Sequence, residues 1–295
     1  MPEITVISGK GGTGKTSLTA AFAHLAGDAI VCDLDVDAPD LHLILQPGTD
    51  VREAFFSGHE AIIDPAACDG CGICAEACRF AAVRSTGAGF TVDPLKCEGC
   101  KVCVHFCPSG AIRFPERHCG EWFISRTRFG PLVHARLFPG AENSGRLVAL
   151  LRGKARELAE RTGRRLILSD GAPGIGCPVI SSLSGTDLAV LVTEPTPSGL
   201  HDLERVADLC RHFKIPTGVI VNKADLNPEN AAGIRRWCGA AQSEFLAALP
   251  FDPAVTEAMV RRQAVTEFRT DGLSAEIRQV WDRIVDLGCF KAQAA

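Results

Sequence analysis

The sequence predicts an α/β fold: a doubly wound, mostly parallel sheet with a small α+β module inserted into it. Three observations carry that prediction. Short apolar runs alternate with helical stretches, the pattern of parallel strands joined by crossover helices. A glycine-rich turn joins the first apolar run to the first helical stretch. A block of eight cysteines at fixed spacing then breaks the alternation, which resumes beyond it.

In chain order, residues 4–8 read as a buried strand, followed by a glycine loop and a helix over 15–25. Residues 29–32 form a second buried strand that ends in acids. Cysteines, glycines and turns dominate from 64 to 113, with little helical period. The segment 131–145, rich in Gly and Pro with few periodic positions, reads as loop. A helix spans 147–161 and stops at Gly163, a natural C-cap. Residues 166–169, 188–193, 217–221 and 245–249 are apolar strands, separated in part by helices at 200–212 and 230–239. A last helix covers 274–287. The inserted module is assigned to 63–113 and the surrounding domain to 1–62 and 114–295. In a sheet of this kind the ligand sits at the carboxyl ends of the strands.

The chain has 295 residues, 46% of them hydrophobic, enough for one large core and a small second module. A net charge of -4 argues against a polybasic surface for nucleic acid or anionic lipid. No apolar run reaches the roughly 20 residues of a membrane helix. Glu3-Ile4-Thr5-Val6-Ile7-Ser8 runs straight into the glycine loop, without the charged and apolar regions of a signal peptide. The expectation is a cytoplasmic protein with no nucleic-acid partner and no membrane anchor. In such a chain 14 cysteines, eight of them crowded between Cys68 and Cys107, point to metal ligation rather than disulfides.

Gly9-Lys10-Gly11-Gly12-Thr13-Gly14-Lys15-Thr16 fits the phosphate-loop pattern G-x-x-x-x-G-K-[ST], between a strand and a helix. Its glycines let backbone N–H groups wrap the phosphates, and the helix that follows, with Ser17 in its first turn, turns its positive end to the same anion. Lys15 is expected on the β- and γ-phosphates and the Thr16 hydroxyl on Mg²⁺. Phosphoryl transfer also needs a carboxylate near Mg²⁺ and a group that orients water. Asp33-Leu34-Asp35-Val36-Asp37 and Asp170-Gly171-Ala172-Pro173-Gly174 supply candidates at strand ends, with Asp37 assigned to turn chemistry. Asn222-Lys223-Ala224-Asp225, taken as a bare pattern, is the guanine signature N-K-x-D.

Cys68-x2-Cys71-x2-Cys74-x3-Cys78 is followed by Cys97-x2-Cys100-x2-Cys103-x3-Cys107-Pro108, the bacterial ferredoxin run written twice. In that run three close thiolates hold one cluster and the fourth reaches the other. One [4Fe-4S] cluster is therefore expected on Cys68, Cys71, Cys74 and Cys107, and a second on Cys97, Cys100, Cys103 and Cys78. Structural zinc would use two C-x2-C pairs and leave the x2 and x3 spacings of the third and fourth cysteines unexplained. The first run departs from the pattern in having Arg79 where proline would follow.

The early second lysine, Lys10, makes the loop resemble the deviant Walker A motif of the MinD/ParA/nitrogenase-iron-protein superfamily. Ala172-Pro173-Gly174-Ile175-Gly176-Cys177-Pro178 and Thr193-Glu194-Pro195-Thr196-Pro197-Ser198-Gly199-Leu200 extend the likeness. With the cysteine block, the chain resembles MinD/Mrp-type P-loop ATPases carrying an inserted dicluster ferredoxin domain. The resemblance implies that Lys10 crosses a dimer interface to the partner's nucleotide. It makes Asp35 the water-positioning aspartate, Asp170 the aspartate bound to Mg²⁺ directly or through water, and Asp33 a partner behind them. It places adenine, not guanine, beside Asn222 and Asp225, with Pro250 closing the base pocket, so ATP is the expected nucleotide and GTP the alternative. Cys177 follows Asp170 at the spacing of a cysteine that ligates a subunit-bridging cluster in the nitrogenase iron protein. A buried small cysteine is the other reading of Cys177. The counterpart of that family's second bridging cysteine is not evident, Cys119 being the nearest. Cys32, Cys210, Cys238 and Cys289 read as core or helix-face residues.

The resemblance implies a homodimer, or a heterodimer with a related ATPase, and a redox or metal-cofactor partner protein. Three functions compete: nucleotide-gated electron transfer, an iron-sulfur or metal-cofactor carrier of Mrp type, and a MinD-like spatial regulator. The third requires a basic amphipathic helix at the membrane. The last helix mixes Glu276, Asp282 and Asp286 with Arg278 and Arg283. The full set of eight cysteines suits stable electron-carrying clusters, which favours the first.

Overall fold

The computed structural model describes residues 1–87, 89–141 and 143–289. The chain divides into two compact units, the larger made of Met1–Glu53, Trp122–Arg136 and the residues from Ser144 onward. Along the chain the strands are β1 (Glu3–Ile7), β2 (Ile30–Asp33), β3 (Gly48–His59), β4 (Ile62–Ile63), β5 (Val83–Ser85), β6 (Phe90–Val92), β7 (Ile112–Arg113), β8 (Glu116–Thr127), β9 (Gly130–Leu137), β10 (Ile167–Asp170), β11 (Leu188–Thr193), β12 (Thr217–Asn222) and β13 (Glu244–Leu249). Nine of them form one sheet in the order β13-β12-β11-β1-β10-β2-β9-β8-β3. Pairing is parallel from β13 through to β9.

The apolar runs are continuous because these strands are buried on both faces. Ile4, Val6, Val31, Leu168, Val190 and Ile220 point to one face, where Phe22 stacks on Trp281 at 5.5 Å. Ile7, Ala189, Leu191, Val219 and Val221 point to the other, against Val206, Ala207 and Ile234. The helix Ser144–Thr162 ends before Gly163, whose φ of 70° supplies the left-handed turn. Two helices begin earlier than their apolar period suggests. Pro197 and Pro228 sit in their first turns, and Thr196 and Asn227 cap them by accepting from the backbone N–H groups of Gly199 and Asn230. Leu273–Ile284 is the last α-helix, continued by a π-helical turn over Val285–Cys289.

The segment 131–145 is not all loop. Gly130–Leu137 is β9, and Leu132 and Val133 pair with Val31 and Cys32 of β2. Pro131 and Gly130 hide the strand from a pattern search, but both stand at its first residues, where Pro costs no ladder bond. Gly130 is required there: its φ is 126°, and a Cβ would lie 2.5 Å from the Ala29 carbonyl oxygen. The two-residue connection between β8 and β9 is possible only for an antiparallel pair.

The smaller unit comprises Ala54–Glu121 and Leu137–Asn143. It contains two antiparallel ribbons, β4 with β7 and β5 with β6, and two short helices, Ile73–Ala77 and Val102–His105. One buried cluster in it comprises Ala61, Ile63, Cys74 and Ile112, with Val83, Phe90, Val92 and Phe114 packed against it. Among the described residues no helix is long and apolar enough to cross a membrane.

Candidate functional site

The loop between β1 and the helix Lys15–Ala26 is held tightly from behind. Asn222, at the end of β12, donates from Nδ2 to the Thr13 carbonyl at 2.8 Å. Gly14, with φ of 89°, lies against it, since a Cβ there would come within 2.3 Å of that same Nδ2. The Ser8 hydroxyl donates to the Lys10 carbonyl at 2.8 Å, and Lys223 Nζ donates to the Gly12 carbonyl at 3.1 Å. Thr13 is buried, and its hydroxyl is the one such side-chain atom without a hydrogen-bond partner among the described residues.

Asp170 ends β10, beside β1 and β2, so the register of the sheet aims its carboxylate at this loop. Its Oδ1 accepts from Lys15 Nζ at 2.8 Å and from the Thr19 hydroxyl at 3.0 Å, and its Oδ2 accepts from the Thr16 hydroxyl at 2.7 Å. Asp35 Oδ2 stands 3.5 Å from the same Lys15 amine. Burial draws the Lys15 amine down, but Asp170 and Asp35 outweigh it and leave its pKa raised. Burial pushes the Asp35 carboxyl up; Lys15 opposes that and Asp170 adds to it. Asp33 is paired in register with Asp170, and burial followed by repulsion from Asp170 pushes its carboxyl well up. Its two oxygens accept from the N–H groups of Asp35 at 3.2 Å and Leu41 at 3.3 Å, which ties down the segment carrying Asp35.

A cavity of about 610 Å³ opens over this cluster. Gly11, Gly12, Thr13, Gly14, Lys15, Thr16, Ser17 and Asp35 line one part, and Asn222, Lys223, Leu249, Pro250 and Phe251 another. Gly9, Lys10, Asp170 and Asp225 are outside that lining. Gly9 packs against Asp202, where a Cβ would approach to 2.4 Å. Asp225 Oδ1 accepts from the Phe251 backbone N–H at 2.6 Å and so braces the segment that carries Pro250. Lys10 pairs with Glu194 at 3.2 Å, and Glu194 also binds Lys223 at 2.6 Å. The sequence marks Glu194 only as part of the motif at 193–200; its share in fixing Lys10 and Lys223 appears in the folded chain.

In the smaller unit, Cys68, Cys71, Cys74 and Cys107 line one cavity, and Cys78, Cys97, Cys100 and Cys103 line another. The fourth cysteine of each run thus lies with the other run's first three. Burial would raise the Cys107 thiol, but donors at Ser109, Ala111 and Gly110 outweigh it and hold the pKa below its ordinary value. Burial raises the thiols of Cys74 and Cys103. Among the described residues no three or more Cys, His, Asp or Glu side chains form a group that would hold a single metal ion. The donor chemistry of each cavity, four thiols round a shared space, fits a multi-iron cluster.

Residues 4–265 match the CobQ/CobB/MinD/ParA nucleotide binding domain. The chain belongs to that family. Relatives of this chain include the uncharacterized protein MJ0578 of Methanocaldococcus jannaschii, 33% identical over 232 residues, covering 77% of this chain and 80% of that one. The uncharacterized protein MJ0579 of the same organism is 25% identical, covering 76% and 80%. The MinD of Pyrococcus horikoshii complexed with Mg-ADP superposes over 99% of both chains at a TM-score of 0.59 and 17% identity. The cell-division ATPase MinD of Pyrococcus furiosus gives 0.57 at 18% identity, covering 97% of this chain and 99% of that one. At such identities the likeness to the solved structures is one of fold.

The remaining cysteines of this MinD/ParA-family chain separate by exposure. Cys177 is exposed and opens the helix Cys177–Leu183, beside Gly145. Cys119 is buried, and its thiol donates to the Ser57 carbonyl at 3.2 Å. Cys32, Cys210 and Cys238 are core residues, and burial pushes the thiols of the last two up to about 12 and about 11. The side chain of Cys289 lies outside the described residues.

Proposed function

We propose that this chain hydrolyses ATP with Mg²⁺ and that nucleotide-driven pairing, with a second copy or a related ATPase, gates electron transfer through two [4Fe-4S] clusters to a redox partner. One observation carries the reading: a chain with a nucleotide loop also has, in its smaller unit, two cavities each lined by four cysteines. Lys15 would leave Asp170 for the β- and γ-phosphates, and the oxygens of Thr16 and Asp170, already 2.7 Å apart, would flank Mg²⁺. The unpaired Thr13 hydroxyl and the loop N–H groups supply further donors to phosphate. Asp35 would orient the attacking water, with Asp33 holding its segment. Lys10, freed from Glu194, would reach the partner's nucleotide.

Asp225 supports adenine over guanine. Its Oδ1 is taken by the Phe251 backbone N–H, which leaves one oxygen where a guanine edge would present two donors. Each cluster would rest on the four thiolates of its cavity and supply one-electron chemistry. We place the protein in the cytoplasm, where thiols stay reduced. A second reading, a cluster or metal-cofactor carrier, is favoured by the exposure of Cys177, which would offer an accessible ligand between two copies.

The test is anaerobic purification with iron and sulfide analysis beside a Mg-ATPase assay. About eight iron and eight sulfide per chain, with hydrolysis of ATP in preference to GTP, is the expected result. Zinc in place of iron, or four iron per chain, would overturn the dicluster assignment. Transfer of iron and sulfide to an apo-acceptor, without electron transfer, would favour the carrier.

A further inference from the structure

The two cysteine runs are related by an internal repeat, so each position in one has a counterpart in the other. Cys68-Asp69-Gly70-Cys71-Gly72-Ile73-Cys74 corresponds to Cys97-Glu98-Gly99-Cys100-Lys101-Val102-Cys103. Asp69 lines the first cavity and Glu98 the second, so their carboxylates balance. The counterparts Gly72 and Lys101 both cap a short helix in the left-handed region, with φ of 81° and 67°. Glycine takes that conformation freely, whereas lysine resists it. Lys101 nevertheless stands there and lines the second cavity, with its amine 5.7 Å from the ring of Phe114, another residue of that lining. It is the one charge lining either cavity without a counterpart in the other run. Seven other non-glycine residues among those described also take a positive φ, so what sets Lys101 apart is its charge in the cavity lining.

We infer that Lys101 sets the two clusters apart electrostatically, making the cluster of Cys78, Cys97, Cys100 and Cys103 the more easily reduced of the pair. Reduction adds one negative charge to a cluster, and a cation beside it stabilises that state more than the oxidised one. An electron shared between the clusters therefore rests beside Lys101, and electrons leave or enter there at the higher potential. Lys101 is a tuning residue and ligates nothing. The inference rests on the dicluster reading above.

The test is a reductive titration of the anaerobic, full-length holoprotein with dithionite, followed by electron paramagnetic resonance. Two one-electron steps are expected. Lys101→Gly, which makes the runs alike and relieves the backbone, should lower the upper step towards the other. Lys101→Gln, which keeps the backbone conformation but loses the charge, should do the same. Both should shift the reduced-to-oxidised ratio of that cluster at least tenfold, about 59 mV for one electron. Lys101→Arg should keep the two steps apart, and raising the salt should narrow the gap in wild type more than in Lys101→Gly. Cys100→Ser should remove the step that Lys101 moves. Holoprotein with two clusters whose potentials ignore the Gly and Gln substitutions overturns this inference alone, as does loss of the other step in Cys100→Ser. Protein that binds no iron and sulfide overturns the dicluster reading, and the inference with it.

Discussion

Lys15 is held by two carboxylates that a bound phosphate would replace, so its substitution separates nucleotide chemistry from folding. Lys15→Ala should lower ATP hydrolysis by about 10² or more, as loss of a preorganised cation at the reacting phosphate does, while iron content stays unchanged. Lys10 lies outside the cavity lining and is paired with Glu194. Lys10→Ala should still bind nucleotide but hydrolyse it slowly and associate less with ATP. Normal turnover and normal ATP-dependent association in that variant, measured by light scattering, would refute the crossing role. Asp35 offers a pH test. Its pKa is raised in the folded chain, so its contribution to stability is full below the unfolded value of 3.8 and is lost as the pH rises through the folded value. Without nucleotide or Mg²⁺, the melting temperature of Asp35→Asn should therefore gain on wild type as the pH climbs from about 4 to about 7. Parallel curves would show that the carboxyl is not strained. Motif and strand end single out Lys15, Thr16 and Asp170 as candidates in the sequence, and the folded chain brings the three side chains together. The engagement of Asp225 with Phe251 is not legible in the sequence, because it depends on how two loops meet.

The elements most legible in the sequence are the parallel strands β1, β2, β10, β11, β12 and β13, because burial on both faces demands an uninterrupted apolar run. The least legible are β3, β8 and β9. Residues Asp50, Arg52 and Glu53 of β3 are wholly or partly exposed, and β9 opens with Gly130 and Pro131, so neither shows an apolar run. Gly130 tests whether β9 belongs where the structure has it. Gly130→Ala would drive a Cβ against the Ala29 carbonyl from a positive φ. It should cost about 2 kcal/mol of unfolding free energy by denaturant titration, the order expected for a non-glycine residue at such an angle. A neutral effect would mean that the start of β9 relaxes freely. Helix starts escape the apolar period for a different reason. Pro197 and Pro228 begin a helix through backbone geometry and the caps Thr196 and Asn227, before any apolar period appears.

For the molecule as a whole, the proposed coupling is a thermodynamic statement. If ATP binding changes the state of the clusters or their access to a partner, linkage requires the clusters' redox state to change nucleotide affinity by the same factor. ATP and ADP affinities measured with clusters oxidised and reduced, with and without partner, should therefore differ. Identical affinities in every condition would leave two modules sharing a chain, and the carrier reading would gain. The α/β architecture, the nucleotide loop, the strand-end acids and the doubled cysteine run were all present in the linear sequence. Each depends on local spacing, and local spacing survives in a string of residues. The convergence of Lys15, Thr16 and Thr19 on Asp170, the pairing of Lys10 with Glu194 and the addition of β9 beside β2 required the folded chain. They join residues far apart in the chain, and what brings these together is burial and sheet register, which spacing does not encode.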